Sequence, residues 1–573
     1  MADLAASRGA AGRPAVAGSK ANTDEWLQRA LLAVLIGWLL LVIVLPLETL
    51  FRKALEDHDG NFIGLANFAA YFAEPALVHS LTNTLMISAV STVITLLLGF
   101  GFAYAVTRSA IPGRAVFRQV AMVPLLAPSL LPGLALVYLF GNQGIFKDWL
   151  FGYSIYGPIG IVIGEVFFAM PHAAMILITA LSAADQRVYE AAESMRASPW
   201  RIFWTVTLPG CRYGVVSATF VVFTLVFTDF GVPKVIGGDF DVLATDVYKQ
   251  VIGQFNFQMG AVVGILLLAP AVVSFAVDRF VQRRQFSSLS ARAVPYQPKK
   301  RLVPDALCLL LCALITIFVC GILAMAVFGS LIQFWPYNLT LTLDKYNLGK
   351  LGTAGWSALT NSLILASFVA VIGTAIVFVG AYLVEKCKTW SPVRTCLHLF
   401  AMIPLAVPGL VLGLAYIFFF NAPGNPLNFI YATMAILIVN TMAHFYTVCH
   451  LTAVTALKQV DAEIESVSAS LKVPFYKTFW RITVPVCLPA ILDIAAYYFI
   501  NAMTTVSAAI FLYSSDTKLL SIAAVNTDDA GNTAVACAMG TMIVAVCAAA
   551  RLAQIGLSRR LYGRSQAWRR RHG

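Results

Sequence analysis

The sequence predicts an all-α membrane protein of about twelve transmembrane helices. They form two parallel tandem six-helix halves, with both termini in the cytoplasm. Three observations point there. The 573 residues are 59% hydrophobic and only 12% charged, outside the range of soluble globular domains. Apolar runs long enough to cross ~30 Å of hydrocarbon recur along the whole chain. And the chain repeats itself: residues 185–209 (DQRVYEAAESMRASPWRIFWTVTLP) and 461–485 (DAEIESVSASLKVPFYKTFWRITVP) lie 276 positions apart.

Residues 1–25 are rich in Ala, Gly and Ser and read as a disordered cytoplasmic tail. The first half, 26–281, holds apolar runs at 30–49, 83–106, 118–141, 156–182, 210–232 and 259–281. The first run is long for a signal h-region and no small-x-small cleavage site follows it, so it reads as a retained anchor. A basic, Pro-containing stretch, 282–304, is the cytoplasmic linker. The second half, 305–556, holds runs at 305–330, 359–384, 396–420, 429–456, 488–513 and 534–556, and a basic cytoplasmic tail, 557–573, closes the chain. With the N-terminus inside, 32 of the 40 Lys and Arg fall on the cytoplasmic side. That asymmetry is the positive-inside signature of an even number of spans, and one missed helix would scramble it. The net charge of +12 is thereby explained by topology, and no nucleic-acid partner is expected. No outside loop clearly carries one of the ten cysteines, so no structural disulfide is expected.

The repeat extends beyond the loops. Asn83-Thr84-Leu85 matches Asn361-Ser362-Leu363, Ala103-Tyr104 matches Ala381-Tyr382, and Met122-Val123-Pro124-Leu125 matches Met402-Ile403-Pro404-Leu405, at offsets of 276 to 280. Six spans per half gives both halves the same orientation, related by an axis along the membrane normal. Two similar bundles facing each other frame a pathway between them.

Within each repeated loop, Asp185 or Asp461 is placed to cap a helix. Val188, Ala191 and Met195, and in the second copy Ile464, Val467 and Leu471, then share one face. Pro199 and Pro474 break these helices, and a short aromatic-rich helix (Phe203-Trp204, Phe479-Trp480) is expected to end at Pro209 or Pro485, where the next span starts. An apolar stripe on a cytosolic helix needs a cover: the ends of the spans or a separate protein.

The loop resembles the permeases of binding-protein-dependent ABC importers (type I), in which Glu-Ala-Ala, three residues, Gly, and about a dozen residues later Leu-Pro form the coupling loop. Glu190-Ala191-Ala192 and Leu208-Pro209 match at that spacing. The family's glycine is replaced by Arg196 and by Lys472, and the second copy is worn further: Glu465, Ser466, Val467 and Ser468 replace the Glu-Ala-Ala run, and Val484-Pro485 the Leu-Pro. The resemblance covers nearly all of 30–560 and is nearest to fused two-half permeases, which include ferric-iron and thiamine importers. Residues 228–238 (TDFGVPKVIGG) with 243–250 (LATDVYKQ) resemble the 2-aminoethylphosphonate branch. The resemblance implies an inner-membrane transport subunit of a bacterium, working with two copies of a cytosolic ABC ATPase and a periplasmic substrate-binding protein. A phosphonate is the expected small-molecule substrate, and no cofactor is expected.

No residue reads as catalytic and none as a metal ligand. The GxxxxGK[ST], HExxH and GxSxG patterns are all absent, so ATP must be bound by another subunit. Candidates for the translocation path are Glu165 and His172, seven residues apart in the fourth span, Asp229 at the outer end of the fifth, and His444 in the tenth. An intramembrane carboxylate costs ~2.5–3.5 kcal/mol on insertion scales and so faces a partner or a water-filled cavity. Pro124 and Pro128, echoed by Pro404 and Pro408, free backbone carbonyls and suit a broken, path-lining helix. Asp229 and Lys234 precede what reads as a polar outer loop running to about residue 258. Glu165 has Thr441 as its counterpart, so such a site is asymmetric. A twelve-span secondary transporter is the rival class, but it would need coupling acids, of which only Glu165 qualifies.

Overall fold

A computed structural model describes residues 23–286, 294, 296–349, 355–387, 389–461 and 463–565. Nine helices are long and apolar enough to span a membrane, and three further pairs are bent at a short break, giving up to twelve spans among the described residues. The bent pairs stand where the sequence shows straight runs. The third span is Arg114–Leu126 and Leu130–Phe140 at 101°, the ninth is Ser391–Ala406 and Gly409–Phe420 at 111°, and the tenth bends by 53° between His444 and Tyr446. Pro124 and Pro404 each sit in a tight 3₁₀ turn just before the larger break, because a proline inside a helix removes one hydrogen bond and displaces the carbonyl four residues back.

Boundaries also move. The first helix starts at Thr23, so the last three residues of the expected tail are helical, and residues 1–22 lie outside the described residues. The sixth span runs on to Phe286 and the seventh starts at Leu302, leaving 287–301 as the linker. Residues 278–286 contain no Gly or Pro to stop a helix, and Pro304 lies in the first turn of the next, where its missing N–H costs nothing. The last helix likewise extends to Ser565, beyond the expected start of the basic tail.

Each half's first span packs on the other half. Thr23–Ala54 lies against the eighth and ninth spans, and Leu302–Leu331 against the second and third. Tyr416 Oη donates to the Val42 carbonyl at 2.8 Å. Around Gly329, a Cβ would stand 2.9 Å from the Tyr138 ring. The exchange stitches two separate bundles into one body.

The outer segment after the fifth span is not the polar loop expected from sequence. The chain turns at Asp229 into two short, largely buried helices, Gly231–Ile236 and Leu243–Tyr248. The repeated Asn-Thr/Ser pair holds this fold-back in place. Asn83 Nδ2 donates to Asp241 O (3.0 Å), and Thr84 Oγ1 accepts from Leu243 N (2.8 Å). In the second half Asn361 Nδ2 donates to Asp516 O (2.7 Å), and Ser362 Oγ accepts from Leu520 N (2.8 Å). Two backbone groups with no place in a regular helix are thus satisfied in both copies by one motif.

Candidate functional site

The two repeated loops hang below the cytoplasmic ends of the spans with the same construction. Asp185 has an extended backbone and accepts from Arg187 N at 3.0 Å, starting the helix Gln186–Ser194. The Arg187 guanidinium, 2.6 Å away, holds the Asp185 carboxyl down at about 2. Asp461 accepts from Glu463 N at 2.9 Å and starts Glu463–Ser470. The helices end in left-handed residues, Arg196 at φ 55° and Lys472 at φ 52°. The position the resemblance assigns to glycine is therefore one where only glycine is unstrained. Here each copy has placed a basic residue there.

A second short helix follows, but it does not stop at Pro209 or Pro485 as expected. Pro199–Thr228 and Phe475–Thr504 are continuous helices. One π turn in each, Phe203–Thr207 and Phe479–Thr483, bonds Leu208 N to Phe203 O and Val484 N to Phe479 O. That wider turn stands directly before the proline, so the ring enters without ending the helix. The Leu-Pro of the motif marks the π turn.

The inner face of the first loop is Tyr189 and Ala192, both buried, with the Tyr189 hydroxyl on Thr207 at 3.2 Å. The apolar stripe faces outward: Val188 is 52% exposed, Met195 77%, Val467 56% and Leu471 70%. Trp200, Trp204 and Trp480 are exposed in the helices that follow. The spans therefore leave most of the stripe uncovered; Ile464 is half-buried and packs against the core. Ala191, Glu190 and Ser466 lie on the exposed side, and Glu190 accepts from Gln186 Nε2 at 3.1 Å. Glu465 does not share their side. It occupies the position of Tyr189, half-buried, and pairs with Lys386 at 3.6 Å.

The loops differ in what holds them, which sequence reading missed. Val294 O accepts from Gln186 N at 2.9 Å, and Lys299 and Arg301 pair with Glu193 at 2.5 and 3.6 Å. Tyr296 lies over Arg108, 4.4 Å from its guanidinium carbon, and against the Tyr189 ring at 4.7 Å. The linker is thus a strap across the first loop. Arg108 also donates to Leu181 O at 2.5 Å, and its counterpart Lys386 to Val460 O at 2.7 Å. In the second half the matching place is a cleft of about 450 Å³ lined by Lys386, Arg394, Asp461, Glu465 and Ser466 among others. The second short helix has Pro474 where the first has its cap Ser198. Asp24, from the first span, supplies the acceptor for Phe475 N at 3.2 Å.

Of the path candidates, the structure brings Asp229 and Glu165 together. Asp229 sits at the break in the fifth span, accepting from Val232 N at 2.9 Å and facing the Ser129 hydroxyl, next to Pro128. Glu165 is fully buried with its carboxyl against that of Asp229. Neither Glu165 carboxyl oxygen has a hydrogen-bond partner among the described residues. The two histidines lie elsewhere: His172 packs on Phe168, and His444 on Phe445 beside Gly409. The second half has Thr441 and Thr505 in place of the acids, so the site is one-sided.

Comparison with known proteins decides the class. The family described as "Binding-protein-dependent transport system inner membrane component" matches residues 95–287 and again 378–562. The chain belongs to this family. It is 28% identical over 539 residues to the ferric transport system permease protein FbpB of Actinobacillus pleuropneumoniae, spanning 91% of this chain and 77% of that one. The Fe(3+)-transport system permease protein FbpB 2 of Haemophilus influenzae is 26% identical over 510 residues, 87% of this chain and 91% of its own. The sulfate transport system permease CysW of Synechocystis is 26% identical over 264 residues, 44% of this chain and 92% of its own. A crystal structure of a bacterial ABC transporter importing alginate aligns with TM-score 0.39 and 17% identity over 46% of this chain and 97% of its own. The protein is a multi-pass inner-membrane permease of an ABC importer, a transport component rather than an enzyme, with the family domain present twice.

Proposed function

We propose that this chain forms the translocation pathway of an ATP-driven importer that takes its solute from a periplasmic binding protein. Two copies of a cytosolic ATPase dock on the two loops. The exposed, equivalently placed Met195 and Leu471, each at the end of a loop helix, carry this reading. Apolar faces that the fold leaves bare in both copies are suited to burial against a partner. ATP binding draws the ATPases together, the loops move with them, and the population shifts toward a state open to the loaded binding protein. Replacing Met195 and Leu471 by Asp, singly and together, tests it. ATPase co-purification is expected to fall with each and vanish with both, while a folded, membrane-inserted double variant that keeps its ATPase refutes the reading.

The substrate we favour is 2-aminoethylphosphonate, on the segment 228–250. A zwitterion of this kind offers an ammonium to the Asp229–Glu165 pair. The relatedness to ferric permeases supports a second reading, ferric iron, for which the same carboxyls are hard oxygen ligands. Titration of the cognate binding protein with 2-aminoethylphosphonate and with ferric ion separates the two.

A further inference from the structure

Among the described residues, one ion pair joins the two halves. Lys234, in the short helix Gly231–Ile236, stands 3.0 Å from Asp529, at the end of Leu520–Asp529 in the other half. The side chains are 22% and 41% exposed. The ammonium also lies 5.2 Å from the Tyr248 ring centre. Tyr248 in turn packs on Phe230 (5.4 Å) and, across the seam, on Phe511 (6.3 Å). The outer ends of the halves are therefore closed at one place by an ion pair over an aromatic seam. The cation is not a duplicated feature: at the matching position the second half has Ile510 and Phe511.

We propose that Lys234 is the oxyanion-binding group of the path, covered by Asp529 while the outer ends are together and uncovered when they part. The inference rests on the reading that the solute is a phosphonate. The Asp529 carboxylate occupies the place a phosphonate oxygen would take on the same ammonium, so solute and closure compete for one charge. Because Lys234 and Asp529 belong to different halves, separating the halves breaks their contact. It takes Asp529, and the neighbouring Asp528, away from the ammonium, which keeps the Tyr248 ring of its own half. A phosphonate then binds the open state and has no equivalent partner in the closed one. That difference in affinity is what allows a solute to favour opening. It also provides for release, since closing returns Asp529 to Lys234 and displaces the anion.

The test uses the assembled importer in proteoliposomes with its binding protein. Lys234→Gln loses both closure and anion site, Asp529→Asn loses closure alone, and Lys234→Arg retains both. Basal ATPase activity is expected to rise several-fold in Lys234→Gln and Asp529→Asn alike. Uptake of 2-aminoethylphosphonate is expected to fall at least about tenfold in Lys234→Gln, which loses its charge-assisted contact to the anion. It should stay near normal in Asp529→Asn and Lys234→Arg. Equal loss of uptake in Lys234→Gln and Asp529→Asn, or normal uptake by Lys234→Gln, overturns the anion role. A binding protein that ignores the phosphonate in calorimetry overturns the substrate reading and the anion role with it, a failure visible before any permease variant is assayed.

Discussion

Tyr296→Ala should release the strap from the first repeated loop. In the native chain the ring covers Arg108 at 4.4 Å and meets Tyr189 at 4.7 Å. Arg108 is buried, so the cation–π contact belongs in the upper part of the ~0.5–2 kcal/mol range. The aromatic pair adds ~0.5–1.5 kcal/mol. The ion pairs of Glu193 with Lys299 and Arg301 are solvent-exposed and contribute little, ~0–1 kcal/mol. Removing the ring therefore costs about 1–3 kcal/mol of strap docking, roughly a 5- to 150-fold rise in the undocked population. Amide hydrogen exchange reports that population directly when opening is fast. The informative probe is Gln186 N, which donates to Val294 O at 2.9 Å. Its exchange should accelerate in Tyr296→Ala by that factor, more than in Glu193→Gln, and amides of the second loop should be unaffected. Equal acceleration in both variants would mean that charge, not the aromatic sandwich, holds the strap. No acceleration in either would mean that the contact does not persist.

Other outcomes follow from the same geometry. Arg196→Gly and Lys472→Gly relieve a left-handed residue and should each stabilise their loop by roughly 1 kcal/mol, read as slower exchange of the loop amides. Asp24→Ala removes a cap lent by the first span and should cost the second loop's short helix ~1 kcal/mol, measured as faster exchange at Phe475 with the first loop unchanged. Ser362→Ala leaves Leu520 N without its acceptor in a buried place and should cost about 1–3 kcal/mol in unfolding from mixed micelles, while Ser362→Thr, which keeps the hydroxyl, should cost less. Asp185 is held down at about 2 by Arg187. A depressed carboxyl contributes its stabilisation above the unfolded value of about 3.9 and loses it as pH falls through the folded one. The difference in loop order between native chain and Asp185→Asn, followed by Trp200 fluorescence, should thus be constant from pH 5 to 8 and disappear as the pH is lowered toward 2.

The repeated pairs of residues were the most legible part of the site, because a duplicated motif keeps its local job. Asp185 and Asp461 start helices, Thr84 and Ser362 accept from a fold-back, and Pro124 and Pro404 attend a break, each through bonds to backbone a few residues away or to one fixed neighbour. The deviations were readable too: Arg196 and Lys472 stand where the family has glycine, and the structure supplies the positive φ that explains the family's choice. The polar outer loop was misread because a short buried helix whose backbone is satisfied by a distant Asn-Thr pair carries no periodicity of its own. The proline ending each loop was misread because a single π turn, invisible in composition, lets the helix continue.

By itself the sequence determined the class of machine: a membrane chain, its orientation, its duplication, and the two loops that face the cytoplasm. These follow from hydropathy, charge asymmetry and spacing, which act locally or sum along the chain. Tertiary structure alone decided that the loops' apolar faces remain bare and that the linker straps only the first of them. It also decided that Asp24 caps the second, that Glu165 meets Asp229, and that Lys234 closes on Asp529. Each of these joins residues far apart in sequence, in several cases from opposite halves, and depends on where the exchanged first spans place them. A repeat seen in sequence says that two parts began alike; only packing shows where the two halves have come to differ.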